Sequence, residues 1–348
     1  MLLETEPCRI QENKEKNKLV EETKLAVIKQ RSANIQKSAK AVRGEKKTPS
    51  PLLRRFKRDY WLYIFLIPCL VWYAVFCYAP MGGIVVAFKK YTGFSSIADS
   101  PWVGLKWFKE FFNSYYVTTI IRNTVVLSLL SVCTFIIPII FALLVNEILQ
   151  PRLKKSLQTI VYAPHFISIV VLVSMLSLFF NTDFGIVNKA IEFFGGEPKS
   201  FLTDPKLYRG MYIWSGVWQE FGWESIIYVA ALSAVDPALH EAATMDGATK
   251  LQRMIHINIP TILPTIVIML IMRVGSIMTI GGDKALLMLN NLNADTAELI
   301  STYVYSRGLI DGDYGLTTAV GLFTNVVNLI LLLSVNWISS KVTETSLF

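Results

Sequence analysis

Charge is scarce in this chain. Asp, Glu, Lys and Arg make up 17% of its 348 residues, where soluble globular chains carry about a quarter. Apolar residues fill 53% of the sequence and the mean hydropathy is +0.44, which excludes an ordinary water-soluble domain. Cysteine is equally sparse. Cys8, Cys69, Cys77 and Cys133 show neither metal-ligand spacing nor a disulfide framework. No G-x-x-x-x-G-K-[ST] run occurs, so the chain holds no P-loop. No nucleophile–base set or metal cluster stands out either, which disfavours an autonomous enzyme. Basic residues are plentiful only near the start: residues 1–58 hold 16 Lys and Arg against 7 Asp and Glu, a surplus of 9 in a formal net charge of +8. A nucleic-acid surface needs its cations on a folded face, and here they sit in a tail.

What is abundant is apolar residues in runs long enough to cross a bilayer, which takes about 20 residues of helix. The spacing predicts an all-α, polytopic membrane protein with about six spans, at about 61–88, 118–148, 156–180, 207–235, 259–281 and 313–338. Residues 1–59 read as a basic tail, disordered or loosely helical, in which Leu19, Leu25, Val27 and Ile28 give a weak apolar face. About 58 polar residues precede the first run, too many for a cleavable signal, so the first span is expected to stay as an anchor. Arg54, Arg55, Lys57 and Arg58 stand before that span, and the positive-inside rule puts the tail in the cytoplasm. The basic hairpin 150–155 and the polar stretch 236–258 fall on the same side, as does the tail 341–348. Both termini are therefore expected inside, with 60–340 as the membrane domain.

The stretch 236–264 is the most informative. Asp236 and Pro237 read as a cap and first helical residue. Glu241-Ala242-Ala243 continues that helix, and Gly247 supplies a break. A second helix leads through Ile257 and Ile259 to Pro260 and Pro264, where the next span starts. The prediction is a stiff helix–turn–helix between spans four and five.

Here the chain resembles the permease subunits of ABC importers. The run Glu241-Ala242-Ala243-x-x-Asp246-Gly247-Ala248 matches that family's cytoplasmic EAA loop in the form typical of its carbohydrate branch, and Ile257-x-Ile259-Pro260 matches the loop's ending. Trp102-Val103-Gly104-Leu105-x-Trp107-Phe108, Asn123-Thr124 and Asp313-Tyr314-Gly315 are weaker echoes of sugar permeases, although Trp107 replaces the more usual Asn. The long tail and the outside loops look like the polysaccharide-permease, LplB-like branch. The resemblance implies a transport subunit in the cytoplasmic membrane of a prokaryote, paired with a second permease as a heterodimer. Two ATPase subunits would bind ATP and Mg, no cofactor being held in this chain, and an external solute-binding protein would deliver an oligosaccharide. Glu241 to Ala248 would form the coupling helix, with Glu241 facing a basic residue of the ATPase.

Span four holds Trp214, Trp218, Gln219, Glu220, Trp223 and Glu224, an unusual polar and aromatic load for a lipid-facing helix. Indoles beside amides and carboxylates suit sugars chemically. Carrying over the contacts of maltose-type relatives places a substrate path near Gln219, Glu220 and Trp223 and near Arg273, Ser276 and Ile277. Arg273 is expected to pair with Glu220 or Glu224. The same residues are equally compatible with packing and ion pairing without solute contact. Thr324, Asn325 and Asn328 lie about a turn apart in span six and are expected to serve helix packing. Two further readings stay open: a cargo such as a peptide, amino acid, phosphate or polyamine, and a membrane scaffold or sensor without transport.

Overall fold

A computed structural model describes residues 23–35, 37 and 59–343. The chain divides at Ala79–Pro80 into two units. In the first, residues 23–35 are helical and exposed throughout; the rest of the basic tail lies outside the described residues. The first apolar run is helical over Tyr60–Phe88, and none of its residues up to Tyr78 is buried. It tightens to a 3₁₀ turn over Gly82–Phe88.

Among the described residues the regular structure of the second unit is helical apart from one isolated bridge, Lys89 with Trp102, with irregular chain between the helices. By length and composition the helices 60–88, 117–146, 250–274 and 314–341 can each cross a membrane alone, and two bent pairs bring the possible spans to six. The expected third span, 156–180, is one of these pairs. Pro151–Phe166 and Ile169–Phe179 meet at 96°, so this run is no straight rod. Pro164 weakens the first helix by lacking an N–H, Ile167 is extended, and the Ser168 side chain caps the next helix at Val171 N. The fourth run is a 29-residue helix, Pro205–Ser233, started by an Asp204 cap and Pro205. Its buried positions Tyr208, Tyr212, Ser215, Gln219, Gly222, Ser225, Tyr228 and Leu232 recur every three or four residues, a single helical stripe.

Prolines leave a recurring mark on these long helices. A proline ring clashes with the carbonyl four residues earlier. A wider π-turn at Ala74–Tyr78 precedes Pro80, and another at Met254–Asn258 precedes Pro260. The wider turns accommodate the missing hydrogen bond without ending the helix. As a result Lys250–Val274 is one continuous 25-residue helix. The sequence reading had a second hairpin helix ending where the fifth span begins; the structure has a single rod of about 37 Å serving both.

Outside the rods, buried amides hold the irregular chain. Asn123, fully buried, donates to the carbonyls of Asp295 and Glu298 and accepts from Arg209. Thr124 accepts the N–H of Ile300. Asn293 donates to the carbonyls of Leu202 and Met288, and Asn328 accepts the N–H of Met278. The echoes around Trp107 and Gly315 also meet in space. The Trp107 indole donates to Lys89 O at 2.9 Å, and a Cβ on Gly315 would lie 2.5 Å from that ring. Trp107 thus keeps an N–H donor where the more usual Asn would supply an amide. In span six Asn328 and Thr324 are buried and bonded within the chain, while Asn325 is exposed.

Gly222 lets two helices approach closely, since a Cβ there would sit 2.2 Å from Val161 O. Gly222→Ala is expected to cost about 1–3 kcal/mol by forcing the helices apart. Thermal unfolding in detergent should show the loss, with Gly210→Ala, in the same helix and with a Cβ that meets nothing within 4 Å, melting at or slightly above the parental midpoint.

Candidate functional site

Two features stand out, a pair of cavities with charged residues in their walls and an exposed foot, and the same pair of helices contributes to both. Helix 205–233 enters the foot, bending by 72° into Pro237–Met245, and helix 250–274 leaves it. Asp236 Oδ1 caps Ala238 N at 2.9 Å and Pro237 opens the helix. After Met245 the chain reverses at Gly247, whose φ of +76° suits glycine. The Ala248 N–H reaches back to Ala243 O at 2.9 Å, closing the turn as a helix stop. Thr249 and Gln252 form a reciprocal capping box for the second arm. Arg253 then donates across the turn to Thr244 Oγ1 at 2.6 Å, tying the arms together. Glu241, Ala242, Asp246 and Gly247 are exposed, with Ala243 and Ala248 half-buried. Leu239, Met245 and Leu251 are exposed beside them. His240 is half-buried and His256 Nδ1 lies 3.0 Å from Gln252 O, a local contact within the foot.

Further along these helices a salt bridge joins them. Arg273 Nη1 reaches both oxygens of Glu224, at 2.8 and 2.9 Å. Its Nη2 donates to Ser131 O and approaches Ser131 Oγ at 3.2 Å, bringing in helix 117–146. Sequence reasoning left Glu220 and Glu224 open as partners, and the geometry selects Glu224. This pair lines two cavities. One, of about 440 Å³, is bounded by Ser128, Phe135, Tyr228, Met272 and Ser276 among others; the second, of about 400 Å³, by Gln219, Glu220, Asp283 and Lys284 among others.

Gln219, Glu220, Arg273 and Ser276 thus line one cavity or the other, whereas Trp223 lines neither. Its indole stacks on His165, centroids 4.2 Å apart and planes within 4°. His165 Nδ1 in turn lies 2.8 Å from Glu220 Oε2. Trp214 and Trp218 face a third, apolar cavity shared with Leu172, Leu176 and Phe179. Of the three indoles expected beside the carboxylates, Trp214 and Trp218 therefore stand apart, and Trp223 reaches Glu220 only through His165. At 100° per residue, positions 220 and 224 share one face while 214 and 218 share another. Gln219 Nε2 donates to Ile167 O at 2.7 Å, satisfying a carbonyl freed by the bend in the broken span.

Sequence reasoning missed His165 and Lys284. Lys284 is 7% exposed, and its ammonium donates to Tyr212 O at 2.8 Å. Burial pushes this amine down to about 8, and the Glu220 carboxylate opposes that shift. Gly281 and Gly282, both at positive φ, turn the chain so that Lys284 points back at span four. The irregular segment before it is held by side chains from several spans. Ser128 donates to Ile277 O, Tyr212 reaches Gly281 O at 3.4 Å and Ser301 donates to Ile280 O at 3.2 Å. A glycine pair followed by Asp-Lys was the only hint in the sequence.

A solvent-exposed foot rigidly continuous with cavity-lining helices describes a membrane transport component rather than a closed helical bundle. Residues 135–344 match the family of binding-protein-dependent transport system inner membrane components, and the chain belongs to that family. It is 42% identical over 293 residues to protein LplB of Bacillus subtilis, covering 84% of this chain and 92% of that one. It is 40% identical over 309 residues to the polygalacturonan/rhamnogalacturonan transport system permease YteP of the same organism, covering 88% and 96%. Among solved structures, a chain of a bacterial ABC transporter that imports the acidic polysaccharide alginate superposes with a TM-score of 0.78 at 39% identity, covering 84% of this chain and 99% of that one. A second structure captures such a transporter with its pentasaccharide-bound periplasmic protein.

The Glu224–Arg273 pair is about a quarter to a third exposed. Truncating either member to Ala should lower stability by about 1–3 kcal/mol, because the other is left half-buried and unpaired. The double variant should lose less than the sum of the two singles; strictly additive losses in detergent melts would show that the contact contributes nothing.

Proposed function

We propose that this chain is one of two permease subunits of an ATP-driven importer that carries an oligosaccharide delivered by an external binding protein. The observation that carries this reading is the continuity of the foot with the cavity. The helix entering the foot holds Glu224 and the helix leaving it holds Arg273, so a push on the foot reaches both members of the pair that stands between the two cavities. Glu241 to Ala248 would sit on an ATPase subunit, with the exposed Glu241 facing a basic group there. ATP and Mg would be bound by two such partners, and a second permease would complete the path.

Orientation follows from charge. The basic hairpin after span two and the foot lie on one side of a six-span chain, with both termini in the cytoplasm and the chain in the plasma membrane of a prokaryote. Glu220, Arg273 and Ser276 would meet the sugar, joined by Lys284. Gln219 and Trp223 would act through the bend, by holding Ile167 and His165. An ammonium has three donors, and the Tyr212 carbonyl occupies one at Lys284. Both carboxylates facing Arg273 and His165 are already paired. A uronic-acid oligosaccharide therefore fits this wall as well as a neutral one, in keeping with the cargoes named for YteP and the alginate transporter.

In the assembled transporter, Glu241→Ala combined with Gly247→Val should reduce uptake of labelled oligosaccharide by about tenfold or more, the valine being strained at positive φ. Co-purification of the ATPase should fall in parallel. Glu220→Ala and Arg273→Ala should reduce uptake while ATPase co-purification stays at the parental level. Normal uptake in the foot variant would remove the coupling assignment.

A further inference from the structure

The helix at 23–35 has no role in the transport reading, yet its layout is not that of an inert tail. At 100° per residue, Leu25, Ile28, Ser32 and Ile35 fall within about 80° of its circumference. Leu25, Ile28 and Ile35 are 57%, 66% and 68% exposed. Lys29 borders this stripe on one side and Lys24 and Arg31 on the other, each within about 40°. No Asp or Glu lies between 23 and 35, although the preceding segment alternates both signs. A helix of this length is marginal in water on its own, and the unburied stripe calls for a surface.

We propose that residues 23–35 form an in-plane helix seated on the anionic face of the bilayer, its three aliphatic side chains entering the interface and its flanking cations reaching lipid headgroups. The cations on both borders of a narrow apolar stripe can snorkel upward while their stems cover the aliphatic groups. Their charge complements acidic lipid, which attracts basic residues near the surface. A second copy of the helix fits less well, since pairing along the stripe would bring Lys24, Lys29 and Arg31 against their own counterparts. The chain also tethers the helix to the membrane, with Arg54, Arg55, Lys57 and Arg58 preceding the first span. The two signals, apolar stripe and basic flanks, are those of a reversible interfacial helix. The cytoplasmic leaflet is meant, which rests on the orientation given above; the lipid preference itself does not.

The full chain reconstituted in lipid nanodiscs tests this, with the same lipid on both faces so that orientation does not enter. Backbone amides of 23–35 should exchange with deuterium about tenfold or more slowly in discs containing phosphatidylglycerol than in pure phosphatidylcholine discs. Lys24→Gln with Lys29→Gln and Arg31→Gln should abolish most of that difference, and high salt should weaken it in the parent. Leu25→Ser with Ile28→Ser and Ile35→Ser should exchange fast even in the anionic discs, which distinguishes seating in the interface from loose attraction. Equal exchange in both lipids would overturn the proposal. So would protection that arises only on adding the ATPase subunits, whatever the lipid, since the stripe would then be a protein contact.

Discussion

The ion pair between Glu224 and Arg273 lines both charged cavities and ties together the helices that build them. Each residue belongs to one of the two helices that flank the foot, and the guanidinium also reaches the carbonyl of Ser131 on a third helix. An ion pair in a membrane domain is costly to build and costly to break, because neither member is stable alone in a low-dielectric surrounding. A junction of that kind suits a device that transmits movement, since packed elements switch between discrete arrangements rather than deforming smoothly.

Stiffness of the connecting parts matters as much as the junction. The foot is short, capped at both arms and cross-tied by Arg253 and Thr244. The rod leaving it keeps its helix through Pro260 by widening one turn. The broken span behaves in the opposite way. Its 96° bend carries Ile167 and His165 to helix 205–233, where Gln219, Glu220 and Trp223 occupy them. The residues expected to touch substrate are thus divided between lining a cavity and shaping its wall.

Between residues 275 and 313 the chain is irregular, and buried amides hold it together with apolar contacts of Met278, Met288, Leu299 and Ile300. Backbone groups without regular partners are tolerated at membrane depth only where protein or a water-filled cavity satisfies them. Asn123, Asn293 and Asn328 do this in the described residues, each buried and each bonded to main chain distant in sequence. The familiar pair Asn123-Thr124 is therefore a structural latch on the 295–300 segment.

Hydropathy alone showed an all-helical membrane chain, because a bilayer demands about 20 apolar residues per span, but not that the third run would bend by 96°. Local rules also sufficed for the first arm of the foot and its turn, though not for the second arm: a cap, a proline at the first turn and a glycine at positive φ act within a few residues of one another, and Asp236, Pro237 and Gly247 stand where those rules put them. The cavity was another matter. Whether Arg273 would meet Glu220 or Glu224, that Trp214 and Trp218 would turn away from the carboxylates, and that His165 and Lys284 would reach span four all depend on how helices cross and where one bends by 96°. Those outcomes are set by contacts between residues 50 to 150 positions apart, as between Arg273 and Ser131, and such pairings leave no period or spacing to read in a single chain.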